Sequence, residues 1–376
     1  MKYPIYLLFF CFAMSCTSTI KDDQAMSYKF LVGTYTDNQK QGIDLLEFNP
    51  SKGTLELTTL ASGISNPSFV IANKNEDLVF AVEETSSEKG GKVLVFERNK
   101  EKEKLNLIDS EFTQGDHPCH LSLSPNEDFL VVSNYSGGNL AVFKIENSGQ
   151  LKISQVIQHE GSSINPDRQE GPHVHSATFD PSGKYLLVAD LGKDAVMSYK
   201  FDPKAEQPFQ LLVENSMQGG DGPRHLAFSA SGEQVYVVQE MTALLEIFNF
   251  NEGNLSSFQR LPLTPSNFSG EVGAAEIRVS ADDAHIYVSN RGEANTLSIF
   301  EKKENGEFQL VKHNPSGGLM PRNFVLSSDE KYVISAHQES HDFVVFKRDT
   351  ESGELSPTNW RIKGHRPVYL YPLNNH

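Results

Sequence analysis

One segment pattern returns along the whole chain, and it limits the fold more than any other feature. It reads NPSFVIANKNEDLVFAVEE from Asn66, HPCHLSLSPNEDFLVVSNY from His117, GPHVHSATFDPSGKYLLVADL from Gly171 and GPRHLAFSASGEQVYVVQE from Gly222. Weaker copies follow as GAAEIRVSADDAHIYVSNR from Gly273 and MPRNFVLSSDEKYVISAHQ from Met320, and RPVYLYPL from Arg366 begins a further, incomplete one. Each full copy holds a leading turn, a short apolar strand, a polar turn and a second apolar strand. A third strand follows, as in KVLVFE from Lys92 and LAVFKI from Leu140. The copies start about 46 to 54 residues apart, the range of propeller and kelch repeats rather than of helical repeats.

Alternating apolar and polar positions, punctuated by Gly, Asn, Asp, Ser and Pro, are strand signals. A single repeat cannot bury both faces of its small sheet, but repeats packed face to face in a ring can, with few edges left open. The predicted fold is therefore all-β, a seven-bladed β-propeller over residues 28–376. The N-terminal stretch YKFLVGTYTDNQKQGIDLLEFNP supplies the strands that the last copy lacks. Residues 368–373 are thus expected to pair with it and close the ring. An open solenoid would need capping ends rather than two half-repeats.

Length alone, at 376 residues, suggests two domains, but no linker interrupts the repeat. The formal net charge of −16 excludes nucleic acid as a partner and leaves no basic face for anionic lipid. An anionic substrate would need a local basic site. The apolar run from Tyr6 to Ala13 follows Lys2, is too short to span a membrane, and has the form of a secretory signal. Its end, Met14-Ser15-Cys16, resembles a bacterial lipoprotein cleavage site. Residues 1–15 then read as a signal peptide, Cys16 as the lipidated residue and 16–27 as a tether, in which Lys21-Asp22-Asp23 resembles a surface-export signal. The expectation is an exported lipoprotein, periplasmic or outer-membrane, that touches the membrane only through Cys16. A cytoplasmic protein is the alternative if the signal is not processed. Only Cys119 then stays in the mature domain, so no internal disulfide forms.

Aligning the copies by their turns aligns candidate site residues. Ser68-Phe69, Cys119-His120, His175-Ser176, Arg224-His225, Ala275-Glu276 and Arg322-Asn323 open the first strands. Glu83-Glu84, Asn134-Tyr135, Asp190-Leu191, Gln239-Glu240, Asn290-Arg291 and His337-Gln338 close the second strands. In antiparallel strands the two sets rise at one end of the ring, near its axis, where loops on a rigid scaffold carry function. Cys119 reads as a packed thiol. Asn134, Asp190, Asn290 and Glu276 offer oxygen ligands of the kind calcium takes, but the central arginines would repel a divalent ion, so no metal is expected.

The segments GPHVHSATFDPSGKYLLVADLG, GPRHLAFSASGEQVYVVQE and AAEIRVSADDAHIYVSNRG, with the opening FLVGTYT, are similar to the seven-bladed propeller lactonases. That family includes bacterial 6-phosphogluconolactonases and fungal carboxymuconate lactonizing enzymes. The resemblance implies a lactonase, a carboxylic ester hydrolase of the 6-phosphogluconolactonase type acting on a small lactone without a cofactor. A muconate-type cycloisomerase and a ligand-binding propeller without catalysis are the alternatives. It also implies His175 (or His173), Arg224 and Glu240 at the channel mouth, with a second arginine at Arg291 or Arg278. The catalytic set expected is His175, Arg224, Glu240 and Arg291, with His173, His120, His225, Glu276, Arg278 and Arg322 binding substrate. The chemistry agrees. A histidine can deprotonate the attacking water near neutral pH, and a guanidinium can stabilise the oxyanion.

Overall fold

The computed structural model describes Met1 and residues 26–374. The expected signal segment, Cys16 and most of the tether lie outside the described residues.

Seven four-stranded antiparallel sheets form the blades. Their innermost strands are Val70–Ala72, Pro118–Leu123, Val174–Phe179, Pro223–Phe228, Ala274–Val279, Pro321–Leu326 and Pro367–Pro372, each packed beside its neighbours around the axis. The last of these pairs with Tyr28–Thr34, whose blade continues outward through Gly42–Asn49 and Thr54–Ser62. Phe30 faces Pro372 and Val32 faces Leu370, so the two ends of the chain close one sheet as the half-repeats require. Blades that contain Leu31, Phe80, Leu130 or Ile286 bury these side chains completely between neighbouring sheets.

A fourth, outermost strand completes every blade, and the repeat pattern does not reveal it. Lys104–Phe112 and Leu151–Gln158, for example, are mostly exposed or half-exposed. An edge strand exposed at most positions on both faces has little to bury and so carries little apolar periodicity.

The polar turn between first and second strands repeats one device. The side chain of its first residue accepts the backbone N–H five residues on, as Ser124 does from Phe129 (3.0 Å), Asp180 from Tyr185 (2.7 Å) and Ser280 from His285 (2.9 Å). The fourth residue is left-handed, and two kinds of residue fill it. Gly183 (φ 69) and Gly232 (φ 75) stand against Pro125 and Pro181 of the preceding blade. Glu127 (φ 60), Asp283 (φ 58) and Glu330 (φ 57) instead face a preceding blade that offers an N–H. Their carboxylates accept from Lys74 N (2.7 Å), Ala230 N (2.8 Å) and Ala281 N (2.8 Å). Left-handed backbone costs a non-glycine residue on the order of 1 kcal/mol, and a charge-assisted hydrogen bond offsets it.

Candidate active site

Five of the innermost strands open with a break in register. The shifts fall between Pro118 and His120, Val174 and Ser176, Pro223 and Leu226, Ala274 and Ile277, and Pro321 and Asn323. A bulge of this kind re-aims side chains that strict alternation would send to opposite faces. Two successive residues per blade therefore serve the channel. Position one supplies Ser68, Cys119, His175, Arg224 and Arg322 at the mouth. Position two supplies Phe69, His120, His225, Glu276, Asn323 and Tyr369 one layer below.

Glu240 organises one side of the mouth. Its Oε2 lies 2.9 Å from Arg224 Nε and 3.0 Å from Arg291 Nη2, and its Oε1 accepts from Arg168 Nη2 at 2.8 Å. The Arg224 contact is an ion pair only, because the Nε–H does not point along the line to the oxygen. Arg224 Nη1 donates to Ala275 O (2.6 Å), while Arg291 donates to Gly273 O (2.9 Å) and Ala274 O (3.3 Å). Burial would raise the Glu240 carboxyl, but Arg291, Arg224 and Arg168 pull it down to about 2. Burial, reinforced by Arg291 and Arg322, brings the Arg224 guanidinium down to about 9, still largely charged at neutral pH.

Across the mouth, Glu84 accepts from Tyr35 Oη (3.1 Å) and from Ser68 Oγ. Burial pushes its carboxyl up, against the pull of Arg322. The guanidinium carbons of Arg322 and Arg366 lie 5.6 and 5.4 Å from the centre of the Tyr35 ring. Four arginines, Arg168, Arg224, Arg291 and Arg322, thus surround two carboxylates, Glu84 and Glu240, a local positive surplus on an acidic protein.

His175 sits between these groups. Its ring meets Tyr135 edge-on (5.4 Å) and His225 edge-on (5.3 Å), and its Nδ1 lies 4.0 Å from Cys119 Sγ. Burial first, then Arg224, His225 and Arg322, holds it well below the usual imidazole range. It is therefore neutral at physiological pH and able to take up a proton. His173 instead stacks on Tyr135 (4.5 Å), with Nδ1 3.1 Å from Tyr135 O and Nε2 3.3 Å from Glu170. Burial pushes the Cys119 thiol up, so it stays protonated.

The lower layer lines a cavity of ≈ 230 Å³. Glu276 is its hub. It meets His225 Nδ1 (3.3 Å) and Arg278 Nη1 (3.4 Å), and it accepts from Asn323 Nδ2. Burial opposes ionisation of Glu276, yet Arg278 and His225 bring it down to about 2. Burial and Arg224 bring His225 down to about 4, and burial with His225 lowers His120 well below its usual range.

The ten expected side chains thus gather around one axis but on two levels. His175, Arg224, Glu240, Arg291, His173 and Arg322 belong to the mouth; His120, His225, Glu276 and Arg278 belong to the chamber beneath. The oxygens weighed as calcium ligands do not converge. Asn134 donates to Thr113 O (3.0 Å), Asp190 binds His159 (2.7 Å), Asn290 accepts from Gly273 N (3.0 Å) and Glu276 pairs with Arg278. Arg168, Tyr35 and Tyr369 complete the site without having been singled out, and Glu84 and Tyr135, aligned at the strand ends but given no role, join it. Glu84 and Tyr135 occupy the aligned strand-end position of Glu240, a signal that was available. Arg168 comes from a loop outside the repeat.

Residues 29–372 match the family model described as lactonase, 7-bladed beta-propeller. The chain is 31% identical over 352 residues to a 6-phosphogluconolactonase of Formosa agariphila, spanning 92% of this chain and 99% of that one. It is 30% identical over 333 residues to the 6-phosphogluconolactonase of Bacillus subtilis, spanning 86% and 92%. Among solved structures, the periplasmic gluconolactonase PpgL of Pseudomonas aeruginosa superposes with a TM-score of 0.88 at 32% identity, covering 93% of this chain and all of that one.

Proposed function

The chain belongs to the seven-bladed β-propeller lactonase family, and on that footing we propose that it hydrolyses a sugar-acid lactone, as a 6-phosphogluconolactonase does. The observation that carries the reading is a neutral, buried His175 set among guanidinium groups. His175 takes a proton from water as the oxygen attacks the acyl carbon. Arg224 and Arg291 keep the mouth positive for the charge that develops, and Glu240 holds both in place. His173 orients the Tyr135 side of the mouth. The test is a panel of sugar lactones, phosphorylated and not, with acid release followed at constant pH. Activity on a muconate and on no lactone would turn the assignment to a cycloisomerase.

We further propose that the protein acts outside the cytoplasm, anchored through a lipid on Cys16. The apolar run ending at Cys16 supports this, as does likeness to a protein described as periplasmic. Mass spectrometry of the native N-terminus tests it; an intact Met1 would overturn it.

A further inference from the structure

We propose that Arg322 is the residue that receives the negative charge created by ring opening, first as the oxyanion and then as the product carboxylate. The proposal rests on the hydrolytic reading above and assigns within it a role that the family motifs do not.

The argument starts from how the mouth's guanidinium groups are occupied. Arg168, Arg224 and Arg291 all engage Glu240, at 2.8, 2.9 and 3.0 Å. Arg224 and Arg291 spend further N–H groups on the carbonyls of Ala275, Gly273 and Ala274. Arg322 differs. Among the described residues it has no carboxylate within 4.0 Å and no hydrogen-bond acceptor; its contact is the face of Tyr35, at 5.6 Å. A guanidinium carries five N–H donors in a fixed fork, and stacking on a ring leaves that in-plane fork unused. Arg322 is half-buried, so an anion can reach that fork, and against burial Tyr35, Glu84 and Glu240 keep it charged without occupying it. Arg322 also lies where the charges of the mouth meet. After burial it is among the groups that keep His175 neutral, and it opposes the effect of burial on Glu84.

The reaction supplies the missing anion whatever the sugar. The water oxygen bonds to the acyl carbon while His175 takes one water proton, and the carbonyl electron pair moves onto oxygen. Collapse breaks the bond from acyl carbon to ring oxygen, which takes the proton back from His175. The acid so formed releases its remaining proton to solvent and leaves as a carboxylate. An uncharged lactone therefore makes the same demand on Arg322 as a phosphorylated one.

The experiment compares the full-length wild type with Arg322→Gln and Arg322→Lys. Glucono-δ-lactone hydrolysis gives kcat/KM, and calorimetric titration with gluconate and, separately, inorganic phosphate gives affinities. Arg322→Gln should lose about 10²- to 10³-fold in kcat/KM, as removal of an oxyanion donor does. It should also lose about tenfold or more in gluconate affinity, with Arg322→Lys in between and the melting temperature lowered only slightly, since no direct ion pair is broken. Unchanged kcat/KM and gluconate affinity in Arg322→Gln would overturn the proposal. So would loss of phosphate binding alone, which would make Arg322 a reader of the substrate's tail. If the wild type opens no lactone, the function proposed above fails, while the gluconate titration still decides whether Arg322 holds a carboxylate.

Discussion

Arg224 and Glu240 face each other at 2.9 Å with side chains only 2% and 9% exposed. They come from the start of one strand and the end of its hairpin partner in a single blade, so the hairpin itself sets their distance. A pair this deep is held by the fold more than it holds the fold. Removing both partners is often tolerated, whereas removing one leaves a buried charge uncompensated.

Glu240→Gln is therefore expected to destabilise by about 3–5 kcal/mol, because Arg224 and Arg291 both lose their anion. Urea denaturation at pH 7 measures it. A change below about 1 kcal/mol would mean that the arginines find other partners.

The same carboxylate gives the protein an acid limit. Folding lowers Glu240 and Glu276 from 4.5 to about 2. A depressed carboxyl contributes stability that is fully present above its unfolded value and is lost as pH falls through its folded value. Melting temperature should thus be flat above about pH 5 and drop between about pH 4.5 and 2. The drop should shrink in Glu276→Gln, whose remaining stability no longer depends on that proton.

His175 sets an acid limit on activity as well. The folded imidazole titrates well below 6.5, so the base form is full at neutral pH and fails only in acid. The kcat/KM profile should be level from about pH 6.5 upward with an acid limb below that. His175→Ala should cost about 10²- to 10⁴-fold and abolish the limb. His173→Ala, which loses only stacking and rim contacts, should retain most of its turnover; equal losses in the two variants would remove the distinction.

The repeat made the ring, its closure and the aligned strand ends legible, because burial between blades forces the same apolar pattern on the first three strands of each. The outermost strands, such as Lys104–Phe112, escape notice because they are exposed at most positions and have little to bury. The site was legible as a set of residue types, but not as two layers. Strict alternation would put Arg224 and His225 on opposite faces, and the bulge that brings both to the channel has no residue signature beyond its leading Gly-Pro. Arg168 was hidden for another reason. A loop residue that reaches Glu240 in another blade belongs to no period at all.

Ring closure can be tested by removing the closing strand. Deleting residues 367–376 takes away the partner of Tyr28–Thr34 and also Leu370, which is fully buried. The exposed edge and opened core should abolish a cooperative thermal transition and promote aggregation. An unchanged melting curve would contradict closure by this sheet.

The turns between blades give the last test. Asp283 holds a left-handed backbone (φ 58) and accepts Ala230 N with both oxygens, at 2.8 and 3.1 Å. Asp283→Ala keeps the strain and loses the bonds, so it should cost about 1–2 kcal/mol. Asp283→Gly loses the same bonds but relieves the strain, and should cost only about half as much. The reverse exchange is forbidden where the preceding blade carries proline. A Cβ at Gly183 would meet Pro125 Cγ at 2.4 Å, and Pro125 has no N–H to reward a carboxylate. Gly183→Asp should therefore destabilise more than either change at Asp283. Denaturation of the three variants under one condition checks the order, and a Gly183→Asp variant as stable as wild type would refute the account of why glycine and acid alternate at this turn.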